Sequence, residues 1–167
     1  MYSVEISKFI STLTYKNIPQ EAILRAKELM LDCIGVGIAG GDEKSVQNAI
    51  KTIKNLPGGS GECKIWGRNA KFTPNYAAMI NAISSHALDF DDTHTEAIVH
   101  ASAILTPLCL TYMSYLKIPK RRILTAFVAG WEVAARLGIA SKGSFHKRGF
   151  HTTAIAGIFG ATAAMCI

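Results

Sequence analysis

Ala154-Ile-Ala-Gly-Ile-Phe-Gly-Ala-Thr-Ala-Ala-Met-Cys-Ile167 is apolar on every side, and its reading decides the fold class. A surface helix carries a polar face opposite its apolar one, so a helix without any polar face must be surrounded by other protein. Its fourteen residues fall short of the about 20 that a bilayer span needs. Its neighbours are therefore expected to be further helices. Gly157, Gly160, Ala161 and Ala164 carry little or no side chain and let neighbouring backbones approach closely. The segment stops at Ile167 with no cap, charge or polar tail, so a chain truncated at its C-terminus, with apolar surface uncovered, is expected.

Upstream, the punctuation is helical throughout. Apolar residues at Val4, Ile6, Phe9, Ile10 and Leu13 follow a 3.6-residue stripe over 3–14. Pro19 at a first helical position and Glu21 in the first turn open a second helix that ends at Gly40-Gly41. Asp42 is expected to cap a third, with Val46, Ile50 and Ile53 on one face and lysines on the other. Pro57-Gly58-Gly59-Ser60-Gly61 breaks it. That stretch lacks a following Lys-Ser/Thr and a preceding apolar strand, so it reads as a connector and not as a phosphate loop. Lys64-Ile65-Trp66 is too short to predict more than a fragment of strand. Further helices are predicted over 74–87, 101–115, 120–137 and 152–166. The expected architecture is all-α, a helical bundle occupying residues 1–167 as one partial domain.

The chain has 18 Lys+Arg against 12 Asp+Glu, and 49% of it is hydrophobic. That is too apolar for a disordered tail. Cys33, Cys63, Cys109 and Cys166 are 30, 46 and 57 positions apart, which fits no zinc-binding spacing. Cys33, Cys109 and Cys166 lie in apolar runs and are expected to be buried, reduced thiols. No basic-then-apolar leader opens the chain, and no run reaches about 18 consecutive apolar residues. A cytoplasmic globular protein is expected, not a secreted disulfide scaffold or a membrane protein. Residues 116–167 hold 8 basic side chains and 1 acidic one. The cluster Lys117-Lys120-Arg121-Arg122 reads as a solvated turn. No aromatic residues interleave with these cations and no helix-turn-helix pattern is present, so nucleic acid is not an expected partner.

Two segments concentrate chemistry. His86-Ala-Leu-Asp89-Phe-Asp91-Asp92-Thr93-His94, followed by His100, places three aspartates and three histidines within fifteen positions. His146-Lys147-Arg148-Gly149-Phe150-His151-Thr152 leads into the last helix and puts His151 or Thr152 at an anion-attracting helix N-terminus. Histidine exchanges protons near neutral pH, and neighbouring carboxylates orient it. Cations and a helix N-terminus hold substrate carboxylates and stabilise an enolate. Together these point to acid–base chemistry on a carboxylate substrate. Plainer readings stand beside it. Asp91-Asp92-Thr93 is the composition of a helix cap or an Asx turn. His86 reads as a satisfied structural histidine at a helix end, His146 as a solvent-exposed one, and Glu132 with Arg136 as an ion pair. A metal set of Asp89, His94 and His100 has no supporting two-histidine spacing.

Four blocks carry a resemblance. They are Asn81-Ala-Ile-Ser-Ser-His86-Ala-Leu-Asp89-Phe-Asp91-Asp92-Thr93-His94, His100-Ala-Ser102-Ala, Gly130-Trp-Glu132-Val-Ala-Ala-Arg136-Leu-Gly138 and Arg148-Gly149-Phe150-His151-Thr-Thr153-Ala. In this order they resemble the MmgE/PrpD family, which includes 2-methylcitrate dehydratase, cis-aconitate decarboxylase and an iminodisuccinate epimerase. The resemblance covers nearly the whole chain but only the N-terminal part of the family's helical domain. It implies a two-domain protein whose α/β lid is absent here, assembled as a homodimer. It also implies that Asp89 and Thr93 line the active site, with His100 and His151 as acid–base or carboxylate-binding groups. His100 is followed by Ala101 and His151 by Thr152, where the family's blocks have proline. The implied activity is a 2-methylcitrate dehydratase-like lyase reaction on a small di- or tricarboxylate, with no metal or organic cofactor. The alternatives are an inactive fragment, an interaction module, or half of a split enzyme completed by a complementing C-terminal half.

Overall fold

In the computed structural model, which describes residues 1–167, 69% of the chain is helical and only two short strands occur. The all-α expectation holds. The helices are α1 (Tyr2–Thr12), α2 (Gln20–Ala39), α3 (Lys44–Lys54), α4 (Pro74–His86), α5 (Ala101–Pro107), α6 (Lys120–Ser141), α7 (Ser144–Lys147) and α8 (Thr152–Met165). Two strands, β1 (Ser60–Lys64) and β2 (Lys71–Phe72), pair antiparallel between α3 and α4.

The apolar segment at the end of the chain is a helix as expected, but only its small-residue face is buried; Ile158, Phe159 and Met165 are exposed, so it is not surrounded on every side. In α8, Ala156, Ala163 and Ala164 are at most 2% exposed and pack on α6, which buries Ala126, Phe127, Ala134 and six other residues besides Gly130. Leu105, Cys109 and Met113 complete this core from α5 and the π-helical turn Leu108–Met113 that follows Pro107. Pro107 has no N–H to give to the helical ladder, and the chain widens immediately after it. By length and composition α6 is also apolar enough to cross a membrane. Its apolar residues are instead at the centre of this helical core. A second, smaller core forms where Val46, Ile50 and Ile53 of α3 meet Ile65, Phe72, Ala77 and Ile80.

Several local expectations are corrected. The segment around Lys64 is a hairpin, because the buried Asn81 side chain of α4 accepts from the Trp66 N–H at 3.0 Å and holds the loop between the strands. Asp42 does not cap α3. It ion-pairs with Arg68, and Glu43 is the residue preceding the helix. The four cysteines are free, but Cys166, expected to be buried, is exposed at the end of α8. Cys33 and Cys109 are buried, and burial raises their thiols to about 11 and about 12. Neither is a nucleophile at neutral pH. α6 continues to Ser141, one turn beyond its expected end, and closes on Lys142 in the left-handed conformation.

Candidate active site

The loop between α4 and α5 is held from three sides. His94 N donates to Val99 O at 3.0 Å, Ile98 N donates to His94 O at 2.7 Å, and Ala97 N donates to His94 Nδ1 at 3.1 Å. The ring of His94 is thereby committed to the loop and lies 5.9 Å from Trp131, so it does not join the other histidines. Trp131 Nε1 donates to Ser102 Oγ at 3.0 Å, and Ser102 Oγ donates to Asp92 Oδ2 at 2.8 Å. Asp89 (φ +50°) and Ile98 (φ +52°) both adopt left-handed backbone. For a β-branched isoleucine this is an outlier that only a tightly determined loop maintains.

Within this frame Asp91 turns inward. Its side chain is fully buried, and both carboxylate oxygens accept from His86 Nδ1 at 3.0 Å. His100 Nδ1 stands 3.5 Å from the same carboxylate and 3.3 Å from Thr93 Oγ1. The His100 backbone N–H donates to Thr153 Oγ1 at 3.0 Å, tying the start of α5 to the start of α8. His151, the residue before α8, brings its ring 5.9 Å from His86 and 6.1 Å from His100, while His86 and His100 are 5.0 Å apart. His146 packs 5.6 Å from His151, and its Nδ1 is 2.9 Å from Thr152 Oγ1.

Asp89, Thr93, His100 and His151 are thus brought to one place, where His86 and Asp91 join them. The helix-cap reading of Asp91 and Asp92 does not hold, since neither side chain caps a helix. His86 does end α4 and is satisfied by Asp91, yet it also lies edge-on to two other imidazoles. His146 is exposed as expected, though hydrogen-bonded. Glu132 and Arg136 form the predicted pair at 2.8 Å.

Partial burial lowers the pKa of His151 from the ordinary 6.5, and the positive forms of His86, His146 and His100 act in the same direction against a weaker opposing pull from Asp89. A neutral imidazole is the result, the form that accepts a proton. Burial raises Asp92 from 3.8 to about 6; Ser102 opposes this, while Asp91 and Asp32 add to it. The folded chain therefore retains a proton that the unfolded chain releases above 3.8. This contribution to stability is complete below that value and is lost as pH rises through about 6. The loss is of order 3 kcal/mol. Asp92→Asn removes the titration while keeping an oxygen for Ser102. The variant is expected to gain stability over the parent as pH rises from about 4 to 8. Urea midpoints across that range give the answer, and parallel curves for the two proteins contradict it.

A cavity of about 760 Å³ adjoins the loop, lined by Arg25, Glu28, Asp32, Asp92, Thr93 and Trp131 among others. Three carboxylates against one guanidinium make it a poor seat for an anion. The histidine cluster does not line it. That cluster instead adjoins the start of α8, where no side chain caps the first N–H groups.

In this helical domain the imidazoles of His86 and His100 converge on the buried carboxylate of Asp91. The chain matches the MmgE/PrpD N-terminal domain over residues 4–167, and it belongs to that family. It is 32% identical over 161 residues to cis-aconitate decarboxylase of Mus musculus, covering 93% of this chain and 33% of that protein. It is 32% identical over 165 residues to cis-aconitate decarboxylase of Aspergillus terreus, again covering 93% and 33%. A cis-aconitate decarboxylase-like protein of Aspergillus oryzae is 29% identical over 170 residues, covering 97% and 35%. The chain spans about a third of the length of these relatives and matches their N-terminal part.

Proposed function

We propose that this chain is the histidine-bearing helical part of a cytoplasmic lyase that acts on a small di- or tricarboxylate by acid–base catalysis. Among the lyase reactions, decarboxylation of a cis-aconitate-like substrate is favoured over dehydration because several relatives are cis-aconitate decarboxylases. The observation that carries the reading is the convergence of His100 and His151, whose ring centres are 6.1 Å apart. Two groups that each reach a substrate atom over about 3 Å must stand roughly that far apart.

His151 is the base of the pair, since its surroundings favour the neutral imidazole. His100 is fixed through its backbone to Thr153 and beside Asp91, which orients its ring. Asp89 and Thr93 assist, Thr93 through its hydroxyl at 3.3 Å from His100 Nδ1. The uncapped N–H groups at the start of α8 hold a substrate carboxylate. When carbon dioxide leaves, the electron pair of the broken C–C bond passes to the adjoining unsaturated system, and the imidazolium of His100, beside the Asp91 carboxylate, delivers the proton that quenches it. Dehydration uses the same pair in the opposite order, with proton removal by imidazole before hydroxide departs. Neither route calls for a metal or organic cofactor. A homodimer is the proposed assembly.

The test is turnover of cis-aconitate, 2-methylcitrate and iminodisuccinate by the full-length protein that carries this chain, followed by proton NMR. Cis-aconitate is expected to give carbon dioxide and a five-carbon unsaturated dicarboxylate. Turnover of 2-methylcitrate alone would move the reading to dehydration. No reaction with any of the three favours the inactive or interaction-module reading, for which the exposed Ile158, Phe159 and Met165 of α8 supply an apolar face.

A further inference from the structure

His86, Asp89, Asp91 and His100 do more than surround a substrate. One possible ligand atom from each lies within 4.8 Å of all the others. His86 Nδ1 is 3.0 Å from both Asp91 oxygens, and His100 Nδ1 is 3.5 Å from one of them. In a tetrahedral site with metal bonds of 2.0–2.1 Å, neighbouring ligand atoms stand about 3.3 Å apart. The two histidine–Asp91 distances already match that value, and the remaining pairs lie within 4.8 Å, so a small inward shift would complete a coordination shell.

Charge and rigidity point the same way. As ligands, two carboxylates and two imidazoles would together offer a charge of −2, which one divalent cation balances. Asp91 is fully buried and has only these histidines as partners for its charge. The four residues do not need gathering. His86 ends α4, Asp89 is turned back by its left-handed backbone, and His100 precedes α5 with its N–H tied to Thr153. Two imidazoles with two carboxylates suit zinc, cobalt or manganese, whereas calcium and magnesium prefer oxygen alone. The contacts to be exchanged are the His86–Asp91 hydrogen bonds and the one between Thr93 Oγ1 and His100 Nδ1.

We propose that His86, Asp89, Asp91 and His100 form a binding site for a divalent transition metal of the zinc type, which inhibits the protein by occupying His100. The binding stands on the geometry alone; the inhibition rests on the acid–base reading of His100. Zn²⁺ titration of the full-length protein by calorimetry measures the first, and the visible spectrum of the Co²⁺ form reports its coordination. One equivalent per chain is expected, with the intense d–d absorption of a four-coordinate ion. Loss of an outer-shell partner alone costs metal sites about 10–100-fold in affinity. His86→Gln and Asp91→Asn are each expected to weaken binding at least that much. His86 is 40% exposed, so His86→Gln reports on the site even where Asp91→Asn fails to fold. Cys63→Ser/Cys166→Ser, which removes the two thiols outside the core, is expected to bind unchanged. The absence of stoichiometric binding, or binding lost with the cysteines and kept in His86→Gln, overturns the site. Zn²⁺ is further expected to inhibit turnover, and less so in His86→Gln. If Zn²⁺ binds at these residues and turnover is unaffected, the inhibitory half fails and the binding site stands. If no substrate turns over at all, the acid–base reading fails while the binding result is still read.

Discussion

Replacing His100 or His151 by alanine in the full-length protein is expected to lower turnover by about 10²–10⁴-fold while leaving the helical circular-dichroism signal intact. That range is what a positioned proton donor or acceptor contributes. His151 is exposed and its imidazole holds no hydrogen bond, so its removal breaks nothing in the fold. The His100 ring is only 14% exposed, but its anchoring contact with Thr153 is made by the backbone and survives the substitution. Asp91 keeps His86 as a partner in that variant. Groups that act in one step are strongly non-additive, so the double variant is expected to fall little below the worse single one. The pH profile separates His151 from a purely structural residue. Where proton removal opens the reaction, as in dehydration, its lowered pKa keeps the base form available to lower pH than an ordinary histidine would, and His151→Ala removes that acid limb from kcat/KM. A double variant within tenfold of the parent sinks the assignment of both histidines.

The long helices were legible because burial acts on a stripe, and a stripe leaves a period in the sequence. Val46, Ile50 and Ile53 recur along one face of α3, and all three are at most 9% exposed. In α8 the absence of any polar face marks a helix but not its surroundings, since Ile158, Phe159 and Met165 stay exposed. The hairpin left no such trace. Along β1 only Cys63 is even partly buried, so no alternation of apolar and polar residues marks it. What pins the loop between its strands is Asn81, fifteen residues beyond Trp66, and a tertiary hydrogen bond has no local signature.

The site was legible as a region more than as a geometry. The sequence placed Asp89, Asp91 and Asp92 within four positions, and nothing local says which of the three turns inward. That choice depends on the left-handed backbone at Asp89 and on histidines five and nine residues from Asp91. Local composition therefore points to a cap or turn at Asp91, although it is the carboxylate at the centre of the cluster. Its one sequence signal was its place in the motif, midway between Asp89 and Thr93. The role of His86 is hidden in the sequence for a related reason. A histidine at a helix end is ordinary, and only the meeting of the starts of α5 and α8 turns this one into part of a group.

The same substitution, glycine to alanine, is expected to have opposite signs at two helical positions. Gly160 of α8 faces Gly130 of α6. A Cβ built on Gly160 meets the Gly130 carbonyl oxygen at 2.7 Å and the Ala134 Cβ at 3.0 Å. In return, a Cβ on Gly130 meets the Gly160 oxygen at 2.8 Å and Leu105 Cδ2 at 2.6 Å. The obstructing oxygens belong to helical backbone, so no side-chain rotation relieves the clash. Inserting the methyl group forces α8 away from α6 along a seam that includes Ala126, Ala134, Ala156 and Ala164, all of them fully buried. Overpacking of this kind costs about 1–3 kcal/mol, and more where the backbone must move. Gly160→Ala is therefore expected to lower stability by about 3 kcal/mol. Gly35, inside α2, has nothing within 4 Å of the place its Cβ would occupy. There the added methyl group restricts only the unfolded chain, and Gly35→Ala is expected to raise stability by about 0.5–1 kcal/mol. Urea unfolding of the two variants beside the parent reads both effects. Equal midpoints for Gly160→Ala and the parent would mean that α6 and α8 do not meet backbone to backbone. That contact brings the start of α8, and with it His151, to the histidines at the ends of α4 and α5.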